Sequence, residues 1–294
     1  MPKVSVIVPS YNLEKYLGET LQSVVNQTFT DWECIVVENA STDGSLALAQ
    51  GFAAKDARFK LLPLPENQGV AGARNRGIGM AAGEYLLFLD ADDLIAPHYM
   101  ADAVAALEAD PSLTVVYGKA TRFGAETRWE LPPFSMSTML SSNCLYISCF
   151  VRKEILRSAQ NDSSSAQNDR CHPEERSDEG SVVAFDPAFK AGYEDWDFWL
   201  SVLESVPSPK VLQLDSLCFF YRTRRKSRNR GVTDQALREI RYRLWEKHKA
   251  LYARYFPNPL ETVEYRRLER AYKKAARMPL WRIRTALKKL LGVR

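Results

Sequence analysis

The chain has 294 residues, 46% of them hydrophobic and 26% charged, enough to bury one large core or two modest ones. Its longest apolar stretches fall far below the roughly eighteen residues that span a bilayer, and its N-terminus reads as a strand without the apolar region of a secretory leader. These features argue against a membrane-anchored or secreted class. The net charge of +4 is uneven: residues 222–294 hold 23 Lys and Arg against 6 Asp and Glu, whereas residues 1–221 hold 17 against 30.

In chain order, Val4 to Val8 reads as a strand and Leu13 to Asn26 as a helix with Tyr16, Leu17, Leu21, Val24 and Val25 on one face. Cys34 to Val37 is extended, Ser45 to Lys55 helical, Lys60 to Leu64 extended and Val70 to Ala82 helical. Tyr85 to Leu89 is a fully apolar strand. Strands alternating with helices predict right-handed crossovers and an α/β fold whose mostly parallel sheet is covered on both faces. Ligands then bind beyond the carboxyl ends of the strands, at Pro9 to Asn12, Glu38 to Asp43 and Asp90 to Asp93.

Residues 97–109 form a further helix, and Thr114 to Tyr117 and Leu145 to Val151 further strands. Residues 157–181 are strongly polar and repeat Ser-Ala-Gln-Asn-Asp, so they read as a disordered surface insertion. Asp195 to Val206 is then helical, and Val211 to Leu214 and Leu217 to Tyr221 are extended. Asp234 to Tyr255, Leu260 to Ala276 and Leu280 to Leu291 are basic helices. The five cysteines, odd in number and without a Cys-x-x-Cys pair, argue against a disulfide framework or a zinc site.

Three motifs carry chemistry. Asp90-Ala91-Asp92-Asp93 follows the most apolar strand, and like charges this close favour Mg²⁺ or Mn²⁺ shared with a diphosphate; the alternative is a helix cap. Asn67 to Gly77 brings glycines, a helix N-terminus and Arg74 together, which suits phosphate, yet it is neither Walker A nor Gly-x-Gly-x-x-Gly. Gly192-Tyr193-Glu194-Asp195-Trp196-Asp197-Phe198-Trp199 opens a helix, where Asp195 suits an N-cap and Trp196 and Trp199 suit either core or a wall for a sugar.

Val6 to Asn12, Ile35 to Ser45, Asn67 to Gly77 and Gly83 to Asp93 resemble, in order and spacing, the GT-A fold glycosyltransferases of family 2. The resemblance covers about residues 3–225 and implies inverting transfer of one sugar from a nucleotide diphosphate sugar, UDP-sugar by frequency, with Mn²⁺ or Mg²⁺ as cofactor. It implies that Pro9, Tyr11, Asn12, Glu38 and Asp43 surround base and ribose, and that Asn67 and Arg74 contact the nucleotide. Asp90, Ala91 and Asp92 become the Asp-x-Asp motif, with Asp92 and Asp90 the metal ligands. Asp195 becomes the general base, with Glu194, Trp196 and Trp199 on the acceptor side.

The chain departs from its relatives in three places. Glu38 stands where many have Asp, Tyr221-Arg222-Thr223-Arg224 where many have Tyr-Arg-x-His, and the insertion precedes the acceptor motif. The Gln-x-x-Arg-Trp motif of processive synthases is absent.

The expected organisation is a GT-A domain over 1–225, with a nucleotide-sugar half at 1–118 and an acceptor half at 119–225, followed by a basic helical extension at 226–294. The implied acceptor is a glycan or lipid-linked hydroxyl in bacterial surface-polysaccharide synthesis, and the implied location is the cytoplasm. The apolar stripe of 280–291 suits either an anionic membrane surface at the inner face of the cell membrane or packing on the chain itself. No nucleic-acid module is present. The rival readings are a nucleotide-sugar-binding protein without turnover and a sugar-1-phosphate nucleotidylyltransferase, the latter disfavoured by Pro9-Ser10-Tyr11-Asn12 after strand one.

Overall fold

A computed structural model of the chain describes residues 1–125, 131–157, 183–189, 192–224 and 233–255. Elements β1 (Val4–Ser10), α1 (Glu14–Val25), β2 (Trp32–Glu38), α2 (Ser45–Lys55), β3 (Phe59–Pro63), α3 (Gly69–Met80) and β4 (Tyr85–Phe88) make up the first half. There follow β5 (Leu94–Ile95), α4 (Tyr99–Ala109), β6 (Leu113–Gly124), α5 (Met136–Ser141), β7 (Phe150–Arg152) and α6 (Glu154–Arg157). The last described elements are α7 (Glu194–Glu204), β8 (Lys210–Thr223), α8 (Asp234–Lys247) and α9 (Lys249–Tyr255).

The strands form one sheet in the order β3-β2-β1-β4-β7-β6-β8-β5. The first four are parallel, as continuous apolar strands joined by helices require. β7 runs antiparallel to both β4 and β6, β8 parallel to β6, and β5 antiparallel to β8. The fold is therefore the expected α/β class, with the parallel character concentrated in the first half. β1, β2 and β4 are buried along their length, because α3 rides directly on β1 and β2. Gly77 permits that approach: a side chain there would collide with Ile7 Cγ2.

Three expectations change. Leu145 to Cys149 is buried but outside the ladder, since the Tyr146 hydroxyl bonds both the N–H and the C=O of Gly118 and holds the segment in a compact turn. The two short strands expected at 211–214 and 217–221 are one strand, β8, which follows β6 through register shifts. The helix expected over 234–255 breaks at His248, whose ring is buried between Asp197 and Glu204.

α8 and α9 pack on the domain through Ile240, Leu244, Leu251 and Tyr252, and the Tyr252 hydroxyl donates to Leu140 O at 2.8 Å. Of the polar insertion expected at 157–181, Arg157 ends α6 and the rest, like the helices expected at 260–276 and 280–291, lies outside the described residues. Among the described residues no helix is long and apolar enough to cross a membrane.

Candidate active site

The carboxyl ends of β1, β2 and β4 open on a cleft of about 330 Å³ lined by Pro9, Tyr11, Asn67, Asp90, Ala91 and Asp92, all expected, together with Ser10, Asn39, Tyr221, Arg222 and Arg224. Among the described residues three non-glycine residues adopt positive φ: Asn12 (φ 53°) and Ala40 (φ 60°) in the loops after β1 and β2, and Tyr193 (φ 68°) just before α7. Left-handed backbone costs an alanine or tyrosine on the order of 1 kcal/mol or more and persists only where surrounding contacts fix it. Here those contacts are visible. Asn12 Oδ1 accepts from Thr42 N–H at 2.8 Å and Glu38 Oε1 from Ser41 N–H at 2.8 Å. The turn after β2 is thus tied to the turn after β1.

This explains where several expected residues sit. Glu38 is buried and serves the loop, and Asp43 accepts from Glu14 N–H at 3.1 Å and Ser45 N–H at 3.0 Å, bracing the starts of α1 and α2. Asn39 carries the contact with the phosphate-type motif instead. Its Nδ2 donates to Asn67 Oδ1 at 2.9 Å, and its Oδ1 accepts from Gln68 N–H at 2.9 Å. The Ser10 hydroxyl is buried beside the cleft without a hydrogen-bond partner among the described residues. Sequence reasoning passed over Ser10 and Asn39, although both stand inside the quoted motifs at strand ends.

Burial, and then repulsion from Asp90, push the Asp92 carboxyl up to about 6, with Arg224 pulling the other way. Arg224 Nε lies 2.8 Å from Asp92 Oδ2. Asp93 is fully buried, and burial with its acidic neighbours raises it well above the ordinary carboxylate range. It accepts from Arg222 N–H at 2.7 Å, while Arg222 Nε donates to Asp92 O at 2.7 Å. The helix-cap alternative fails, since α4 is entered at His98 with no side-chain cap; Asp93 instead holds β8 in place, and Asp90 and Asp92 line the cleft.

A second cavity of about 320 Å³ adjoins the first, sharing Asp90 and Tyr221, and is lined by Arg74, Asn143, Glu194 and Asp195. Arg74, 2% exposed, lines the second cavity and holds the shared Asp90: Nη2 meets Asp90 Oδ1 at 2.6 Å and Nη1 meets Glu194 Oε1 at 3.1 Å. Burial alone would lower the Arg74 pKa, but Asp90 and then Glu194 hold it raised and the guanidinium charged. Asp195 Oδ2 accepts from Asn143 Nδ2 at 3.0 Å. Burial, and then Glu194, push Asp195 up to about 7 against the pull of Arg74. A carboxylate poised near neutrality beside a cavity can take a proton from a hydroxyl.

The two tryptophans do not form a wall of either cavity. Trp196 is buried with Nε1 donating to Met139 O at 2.7 Å, and Trp199 is fully buried against Phe198. Aromatics at helical spacing here fill the core under α7.

An α/β sheet of this order, with acidic groups at its carboxyl rim and two adjoining cavities, is of the GT-A type. The family described as glycosyl transferase family 2 matches residues 5–164, and the chain belongs to it. An uncharacterized glycosyltransferase of Haemophilus influenzae is 45% identical over 96 residues, 33% of this chain and 38% of that protein. TuaG of Bacillus subtilis, named as a candidate teichuronic acid biosynthesis glycosyltransferase, is 45% identical over 92 residues, 31% of this chain and 36% of TuaG. The matches thus span little more than a third of these relatives. Among solved structures, S. aureus TarS 1–349 in complex with UDP-GlcNAc aligns with a TM-score of 0.65 at 23% identity, covering 85% of this chain and 66% of TarS 1–349. Mannosyltransferase PcManGT from Pyrobaculum calidifontis, in complex with GDP-Man and Mn²⁺, aligns with a TM-score of 0.56 at 18% identity, covering 100% and 81%.

Proposed function

We propose that the chain moves one sugar from a nucleotide diphosphate sugar, a UDP-sugar first, to a hydroxyl of a glycan or lipid-linked acceptor, with inversion, in cell-surface polysaccharide synthesis. The observation that carries the reading is Arg74, which joins the Asp90 end of the first cleft to the Glu194–Asp195 end of the second. Donor and acceptor chambers coupled through one buried cation suit a displacement that must hold both reactants. The nucleotide complexes of TarS and PcManGT, and the teichuronic acid assignment of TuaG, support donor and pathway classes.

In this reading Tyr11, Asn39 and Asn67 receive the nucleotide, and Ser10 offers its unpartnered hydroxyl. The acceptor oxygen attacks the anomeric carbon as the bond from that carbon to the diphosphate oxygen breaks. Asp195, held by Asn143, takes the acceptor proton, and the nucleoside diphosphate leaves. Arg224 and Arg222 stand at the diphosphate side and offer guanidinium groups to its charge.

The cation implied by the family fits the residues present. Asp92 and Asp90 are hard oxygen donors facing the cleft, and the raised Asp92 pKa marks a charge that a divalent ion would relieve. When bound there, Mg²⁺ or Mn²⁺ neutralises charge on the departing diphosphate.

The test is calorimetric binding of UDP, GDP, dTDP and CDP, with Mn²⁺ and with chelator, followed by transfer assays with the matching sugars. Binding of one nucleotide with metal and loss of transfer in Asp195→Asn are expected. Binding that Asp195→Asn leaves intact, without transfer by the unaltered chain, would favour the binding protein without turnover.

A further inference from the structure

A second cluster of metal-ligating side chains lies away from both cavities, where α4 meets β8. His98 stands at the turn into α4, Asp102 one turn later, and Cys218 on β8. The backbones are locked there by Ala96 N–H donating to Cys218 O at 2.9 Å. The ligand atoms of His98, Asp102 and Cys218 all lie within 4.8 Å of one another, with His98 Nε2 3.9 Å from Asp102 Oδ2. Ser216 Oγ donates to Asp102 Oδ2 at 3.0 Å and sits 3.3 Å from Cys218 Sγ.

Two observations set this cluster apart from a chance meeting of polar groups. His98 Nε2 is buried with no hydrogen-bond partner among the described residues, although the rest of the ring reaches solvent. Cys218 is fully buried and pressed so closely on Gly118 that a side chain at Gly118 would strike its Sγ, which fixes the position of the sulfur. We infer that His98, Asp102 and Cys218 form a structural zinc site that pins the start of α4 to β8, with Ser216 orienting two of the ligands.

The chemistry selects the ion. One imidazole nitrogen, one thiolate and one carboxylate suit Zn²⁺ and not the hard Mg²⁺ or Mn²⁺ of an all-oxygen site. Ligand atoms about 2.0–2.3 Å from zinc stand roughly 3.3–3.8 Å apart in a tetrahedron, so the observed spacing needs only a small contraction. A thiolate and a carboxylate balance the charge of Zn²⁺, and the fourth position falls to Ser216 Oγ or water. The sequence argued against zinc because its five cysteines are odd in number and hold no Cys-x-x-Cys pair; Cys218 is 120 residues from His98, and strand pairing brings the two together.

The test titrates the chelator-treated full chain with Co²⁺, read by absorbance, and then adds Zn²⁺. One equivalent of cobalt with a thiolate-to-cobalt charge-transfer band is expected, bleached by one equivalent of zinc and indifferent to excess Mg²⁺. Cys218→Ala removes the band, and His98→Ala, at a half-exposed position, weakens cobalt binding about 10-fold or more. Cys171→Ser and Asp92→Asn leave the band intact. If Cys218→Ala does not fold, His98→Ala and Asp102→Asn decide. A missing band, a band that survives Cys218→Ala, cobalt binding as tight in His98→Ala and Asp102→Asn as in the native chain, or a band that vanishes in Cys171→Ser, overturns the site.

Discussion

Arg224 Nε lies 2.8 Å from Asp92 Oδ2, so a cation from the last strand already rests on the carboxylate that faces the cleft. The pair joins residues 132 apart in sequence, and it stands where many relatives carry a histidine. Arg224 balances Asp92, and in the proposed reading its guanidinium turns onto the donor's diphosphate.

Arg224→Gln is therefore expected to weaken nucleoside diphosphate binding by about 10-fold, or about 1.4 kcal/mol, with chelator present. The loss shrinks when Mn²⁺ is added, because the ion takes over neutralisation of both Asp92 and the diphosphate. Paired calorimetric titrations check both statements, and equal losses in the two conditions would contradict this role.

Asp195 sets the expected pH profile. Its pKa is raised to about 7, and only the carboxylate can accept a proton, so kcat/KM for transfer rises with pH and levels off above an inflection near 7. Asp195→Asn lowers kcat by about 10²- to 10⁴-fold and leaves donor affinity unchanged. Asn143→Ala removes the bond to Oδ2 and reduces kcat more than it changes donor KM. The measurement is initial rate against pH for each variant.

Arg74 is a buried cation shared by two carboxylates, and removing one member leaves buried charge without its partner. Arg74→Ala is expected to cost about 3–5 kcal/mol in urea unfolding. Arg74→Lys keeps the charge but offers one ammonium in place of a planar fork, so it folds yet loses transfer. A folded Arg74→Lys with normal kcat would show that bridging the two cavities is unnecessary.

His248 couples the start of the C-terminal part to α7. Nε2 lies 3.1 Å from Asp197 Oδ1 and Nδ1 2.6 Å from Glu204 Oε2, while Lys247 Nζ reaches Asp197 Oδ2 at 2.7 Å. Burial lowers its pKa, but Asp197 and Glu204 outweigh that and raise it above 6.5. A raised folded-state pKa means stability fully present below about 6.5 and lost as pH climbs through the folded value. The stability gap between the native chain and His248→Gln is thus expected to be larger at pH 6 than at pH 9. Urea midpoints at the two pH values measure it.

What could be read locally was read well. The β-branched runs of β1 and β2, the apolar run of β4 and the 3.6-residue pattern of α1 are properties of neighbouring residues, and the expected spans lie within a few residues of those observed. The strand ends that carry Pro9, Asn39 and Asp90 follow from the same periodicity, because a parallel sheet puts its ligand sites there. Where local pattern misled, long-range packing was the reason. Trp196 and Trp199 stand in a polar motif yet are core, because α7 lies on the sheet, and the break at His248 answers to Asp197 and Glu204, not to any helix-stopping residue.

The alternation of strands and helices, and the family motifs with their order, are legible in the chain alone, since they rest on hydrophobic period and on residue types a few positions apart. Which acids meet which cations is settled by packing. Arg74 touches Asp90 and Glu194, Arg224 touches Asp92, and Cys218 approaches His98, each across a long loop of chain whose closure is fixed by strand order and core packing and not by spacing.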